Sequence, residues 1–112
     1  MQKMVRAFSV KSREALVKIA KETDVFTSEQ RGVLAKNFDM TVESWYYQEI
    51  EGKPYVIGVA EGEQLDEGFE SWGTSDDPFA VWFREQVKEM TGCDLSEAPK
   101  GPQRELIYEL RP

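Results

Sequence analysis

The sequence predicts an α+β domain built on a four-stranded antiparallel sheet, and three observations carry that expectation. Strand-like and helical periodicities alternate in the order strand, helix, strand, strand, helix, strand. A tight-turn signal, Glu51-Gly52, lies between two runs rich in aromatic and β-branched residues near the middle of the chain. Apolar side chains fall on both faces of the expected strands, so neither face of the sheet belongs in water.

The first strand is Lys3 to Val10, with Met4, Phe8 and Val10 on one face and Val5 and Ala7 on the other. Ser12 is placed to cap a helix whose apolar positions Ala15, Leu16, Ile19 and Ala20 follow helical spacing. Thr23-Asp24-Val25-Phe26-Thr27 interrupts good helix formers, and Thr27 with Gln30 has the spacing of a capping box. Val33, Leu34, Asn37 and Phe38 continue the stripe, so residues 12–38 fit one kinked helix or two in series.

The hairpin strands lie near 41–50 and 54–61. A two-residue turn at Glu51-Gly52 sets Ile50 opposite Lys53, Gln48 opposite Tyr55 and Tyr46 opposite Ile57. On the other face Tyr47 meets Val56, and Trp45 lies across from Gly58, where an indole covers backbone that glycine leaves bare. Leu65, Phe69 and Trp72 then mark a short amphipathic helix that Gly73 is expected to end. Asp77-Pro78 starts another, with Phe79, Trp82, Phe83, Val87 and Met90 on one face and Gly92 as its stop. Residues 93–102 are an irregular connection, and Glu105 to Leu110 is the last strand, with Leu106, Tyr108 and Leu110 on one face.

This order is the βαββαβ pattern of a ferredoxin-like fold, as a single domain over residues 1–112 with its helices on one sheet face. The other face then needs a cover, and a second copy of the same sheet is the simplest one, giving an isologous homodimer.

Composition narrows the function. The chain has 21 acidic and 14 basic residues, a net charge of −7, which disfavours nucleic acid and anionic membranes as partners. One cysteine, Cys93, excludes an intramolecular disulfide and suits a reducing cytoplasm. The chain has no histidine, which excludes Ser-His-Asp and Cys-His nucleophile systems, histidine-ligated haem and His/Cys zinc sites. No calcium-loop pattern and no membrane-length apolar run occurs. The expectation is a soluble cytoplasmic protein without metal or cofactor.

Glu43-Ser44-Trp45, Gln48-Glu49, Gly52, Tyr55 and Ser75-Asp76-Asp77-Pro78-Phe79 leading into Trp82-Phe83 resemble an uncharacterised group of small proteins. That group looks like part of the dimeric α+β barrel superfamily. The resemblance runs from the first strand to Leu110 and implies that fold and a homodimer. The wider superfamily includes cofactor-independent monooxygenases, isomerases, haem enzymes and stress-response proteins, and a chain without histidine departs from its haem branch.

Glu43, Trp45, Tyr47 and Glu49 project from one strand face. If that face lines a cavity, Glu43 is the candidate acid or base and Trp45 and Tyr47 form an aromatic wall, with Gly58 leaving room. Core packing of the two aromatics, with the glutamates in water, is the simpler account. Tyr46, Gln48, Tyr55 and Ile57 share the other face and suit a dimer interface or polar contacts to a ligand. Arg6, inside a covered strand, calls for a partner such as Glu61 or Glu105, or for an anionic ligand. Asp76-Asp77 reads as a helix cap rather than a metal pair, Trp72 and Trp82 as core, and Cys93 as unreactive. Two functions follow: a non-catalytic or small-ligand-binding homodimer, or a cofactor-independent oxygenase or isomerase acting on a small aromatic or polyketide-like substrate with Glu43 as base.

Overall fold

Residues 1–26, 29, 32, 40–97 and 104–112 are described by a computed structural model of the chain. Strands β1 (Gln2–Ser9), β2 (Met40–Ile50) and β3 (Lys53–Gly62) form a three-stranded antiparallel sheet in the order β1-β3-β2. Among the described residues three helices accompany it: α1 (Arg13–Glu22), α2 (Leu65–Thr74) and α3 (Pro78–Thr91). Short 3₁₀ turns follow at Thr23–Val25 and Leu95–Glu97.

The hairpin forms because both turn residues take the left-handed conformation, Glu51 with φ 53° and Gly52 with φ 76°. That turn type matches the twist of its strands and permits only one register. Ile50 faces Lys53, Gln48 faces Tyr55, Tyr46 faces Ile57, Tyr47 faces Val56 and Trp45 faces Gly58. At the far end of β2 the register skips Thr41, between Met40 opposite Gly62 and Val42 opposite Glu61. This bulge turns Met40 toward the helices while Val42 stays on the outer face, 47% exposed.

The helices begin and end where local chemistry dictates. The Ser12 hydroxyl accepts from the Ala15 amide at 3.1 Å, and the Asp77 carboxylate accepts from the Phe79 amide at 3.0 Å ahead of Pro78. Gly92, with φ 79°, closes α3. The amide of Asp66 in the first turn of α2 donates to the Gln2 side-chain carbonyl at 3.0 Å, so β1 caps that helix from outside.

All three helices pack on one sheet face, that of Met4, Phe8, Trp45, Val56 and Ala60. One core cluster joins Met4 and Ala60 to Leu65, Trp72, Phe79 and Ala80. A second joins Val56 to Val10, Leu16, Ile19 and Met90. Phe79 and Trp72 are almost fully buried and touch edge-on, with ring centroids 6.2 Å apart.

Three expectations are corrected. Among the described residues the sheet has three strands, not four, so the four-stranded ferredoxin-like βαββαβ arrangement does not describe this chain. Residues 105–110 form no strand. Their alternation marks a segment able to extend, but a strand exists only through ladder hydrogen bonds, and here none form. Leu106, Ile107, Tyr108 and Leu110 are 71–81% exposed, and a half-buried Arg104–Asp66 ion pair ties the base of the segment to α2. Gly73 does not end α2, which continues through Thr74. A Cβ on Gly73 would stand 3.1 Å from the Leu95 carbonyl oxygen, so the glycine admits the close approach of the second 3₁₀ turn. Helix α1 ends at Glu22 and tightens into the Thr23–Val25 turn. The Thr27–Gln30 capping box and the stripe Val33, Leu34, Asn37, Phe38 lie outside the described residues, as does the side chain of Phe69.

Candidate functional site

Three cross-strand rows make the floor of a cleft beneath α3. Met4, Ala60 and Glu43 form the first row, Arg6, Gly58 and Trp45 the second, and Phe8, Val56 and Tyr47 the third. Odd-numbered β2 residues and even-numbered β1 and β3 residues therefore face the helices. Gly58 lies at the centre. A Cβ there would meet Met4 Cε at 3.7 Å and Trp45 Cδ1 at 3.9 Å, ordinary van der Waals contacts, so the glycine is not needed to relieve a clash. Phe83, Val87 and Met90 of α3 form the roof, and Thr91 and Leu95 close one end. The cleft is small, offering about 60 Å³ to the centre of a water molecule. Glu43, Trp45 and Phe83 also border a wider hollow of about 350 Å³ beside Ala20, Thr23 and Asp24.

Among the described residues two charged ones, Glu43 and Arg6, line this largely apolar cleft. Glu43 is half-buried and its Oε1 accepts from Trp45 Nε1 at 3.0 Å. Burial raises its carboxyl above the ordinary value, and the indole hydrogen bond opposes that shift in part. Arg6 is half-buried, its guanidinium carbon 4.8 Å from the centre of the Phe8 ring. The expected pairing of Arg6 with Glu61 or Glu105 is absent among the described residues. Glu61 sits opposite Lys3 and pairs with it at 3.9 Å instead.

Glu43, Trp45, Arg6 and Gly58 are thus brought together around one cleft. Tyr47 shares their sheet face but does not line it. Its hydroxyl donates to Glu49 Oε1 at 3.3 Å, and desolvation followed by the nearby Glu49 charge raises its pKa. Tyr46, Gln48, Tyr55 and Ile57 sit together on the outer sheet face, with Tyr46 58% exposed. Asp77 caps α3 and Asp76 is exposed. Cys93 is half-buried and its backbone amide donates to Thr91 Oγ1 at 3.0 Å, and Asp94 is held below its usual range by Ser96 hydrogen bonds.

The roof and the Phe8 platform were missed at the level of sequence. Phe83, Val87 and Met90 carry the same periodic signal as a filled core. The cross-strand glycine opposite Trp45 is the one signal in the sequence that falls at the cleft floor. Among the described residues no group of three or more acidic or cysteine side chains is arranged to hold a metal, and no helix is long and apolar enough to cross a membrane. No protein family, no curated protein and no solved structure matches this chain.

Proposed function

We propose that the protein is a homodimeric small-molecule-binding protein of the cytoplasm whose ligand seats over Gly58. The observation that carries this reading is the convergence of Arg6 and Glu43 on a cleft otherwise lined by apolar and aromatic groups. Binding sites are mostly apolar with a few placed polar groups that fix orientation, and this cleft has that composition. Its size favours a small, compact ligand. The dimer is supported by the outer sheet face, where Val5 (49%), Val42 (47%) and Tyr46 (58%) lie open to solvent around Ile57 and Tyr55.

One observation favours a second reading, that of a cofactor-independent enzyme. A desolvated carboxyl with a raised pKa, in a cleft, is what a general acid or base requires. Glu43 then exchanges a proton with a substrate held against Trp45.

A thermal-shift screen of small aromatic and aliphatic compounds tests the binding reading, repeated on Glu43→Gln and Trp45→Ala. Ligands that stabilise the parent chain and lose that effect in both variants support it; compounds whose stabilisation is unchanged in both bind elsewhere and count against it. Conversion of a bound compound that stops in Glu43→Gln while binding persists selects the enzyme reading.

A further inference from the structure

Resting on the cleft reading above, we propose that the ligand is a small monocarboxylate with an apolar body, its carboxylate held by Arg6. In a chain with 21 acidic residues to 14 basic ones, a half-buried arginine ordinarily finds an acid. Arg6 does not: among the described residues no ion pair involves it, and its one described partner is the face of Phe8. A planar guanidinium matches a carboxylate with parallel charge-assisted hydrogen bonds, and stacking on an aromatic ring leaves its donor edge available.

The rest of the cleft defines the body. Arg6, Gly58 and Trp45 are successive cross-strand neighbours, so the roots of the guanidinium and indole side chains stand roughly 10 Å apart. Between them stands Gly58, which adds no side chain of its own to the floor. A flat ring or short branched chain fits there against Trp45, under Phe83 and Met90. Among the described residues Glu43 is the only carboxyl lining the cleft. Burial raises its pKa, a shift in the direction that lessens its repulsion of a bound carboxylate. The C-terminal end of α3 borders the cleft through Met90 and Thr91, and its partial negative charge weighs against a dianion such as phosphate.

The methionines provide the readout. Met4 and Met90 line the cleft, whereas Met1 and Met40 do not. The protein is labelled at its methionine methyls and titrated with benzoate and butyrate, and in parallel with benzamide and butyramide. The expected result is movement of the Met4 and Met90 signals, with each acid binding about tenfold tighter than its amide. Arg6→Gln should abolish that preference while benzamide still moves the same two signals, and Arg6→Lys should keep part of it. Equal affinity for acids and amides in the parent chain, or a preference that survives Arg6→Gln, overturns the carboxylate assignment but leaves the cleft as a binding site. Failure of all four compounds to move Met4 and Met90 overturns both.

Discussion

Trp45 Nε1 donates to Glu43 Oε1 at 3.0 Å, so the side chain that walls the cleft also holds its carboxyl in place. Trp45 is fixed in turn by Phe83, whose ring lies 5.6 Å away. Floor, wall and roof are therefore mechanically linked through one indole.

The raised pKa of Glu43 has a consequence for stability. The folded chain holds a proton at a pH where the unfolded chain has released it, so stability falls as pH rises from the ordinary carboxyl value to the raised folded one. Glu43→Gln keeps an acceptor for Trp45 and removes that slope. Urea unfolding from about pH 4 to about pH 8 should show the variant gaining on the parent as pH rises and becoming the more stable at neutrality. Asp94, with its lowered pKa, contributes the opposite slope at lower pH in both proteins, and so cancels from the difference.

Gly58 separates folding from binding. An alanine Cβ would make only ordinary contacts of 3.7–3.9 Å, so Gly58→Ala should change stability by no more than about 1 kcal/mol in either direction. Gly58→Leu should fill the floor and abolish ligand-induced thermal shifts while far-ultraviolet circular dichroism stays unchanged.

Gly73 should behave differently. Replacing an exposed helical glycine by alanine ordinarily gains about 1 kcal/mol. Here the new methyl group faces the Leu95 carbonyl oxygen at 3.1 Å, and the gain should vanish. Gly73→Val, which adds bulk at the same contact, should cost about 1–3 kcal/mol in denaturant unfolding.

The outer sheet face tests the dimer. Sedimentation at micromolar concentration should give twice the chain mass of 12.9 kDa, and Val5→Glu with Tyr46→Glu should return it to the single mass without loss of secondary structure. A parent chain that sediments at 12.9 kDa refutes the dimer.

What was legible in the sequence was local. The turn at Glu51-Gly52 dictates its register because both residues must adopt positive φ, and that register places Trp45 opposite Gly58. Ser12, Asp77 and Gly92 bound their helices through interactions within a few residues. Long-range relationships were not legible. The alternation of Leu106, Tyr108 and Leu110 states a preference for extension but cannot state whether an edge is there to receive it. Gly73 reads as a helix stop, although its reason lies in the Leu95 backbone. The two faces of the hairpin could be separated by periodicity, but only the packing of Val56 and Ala60 under the helices decides which is inward.

The most direct test of the cleft over Gly58 is a crystal soak with a set of small aromatic and aliphatic fragments. The expected result is density for a fragment lying on Gly58 between Arg6 and Glu43, under Phe83. Crystals in which Phe83 and Met90 fill that space, with fragments bound only elsewhere, would contradict it.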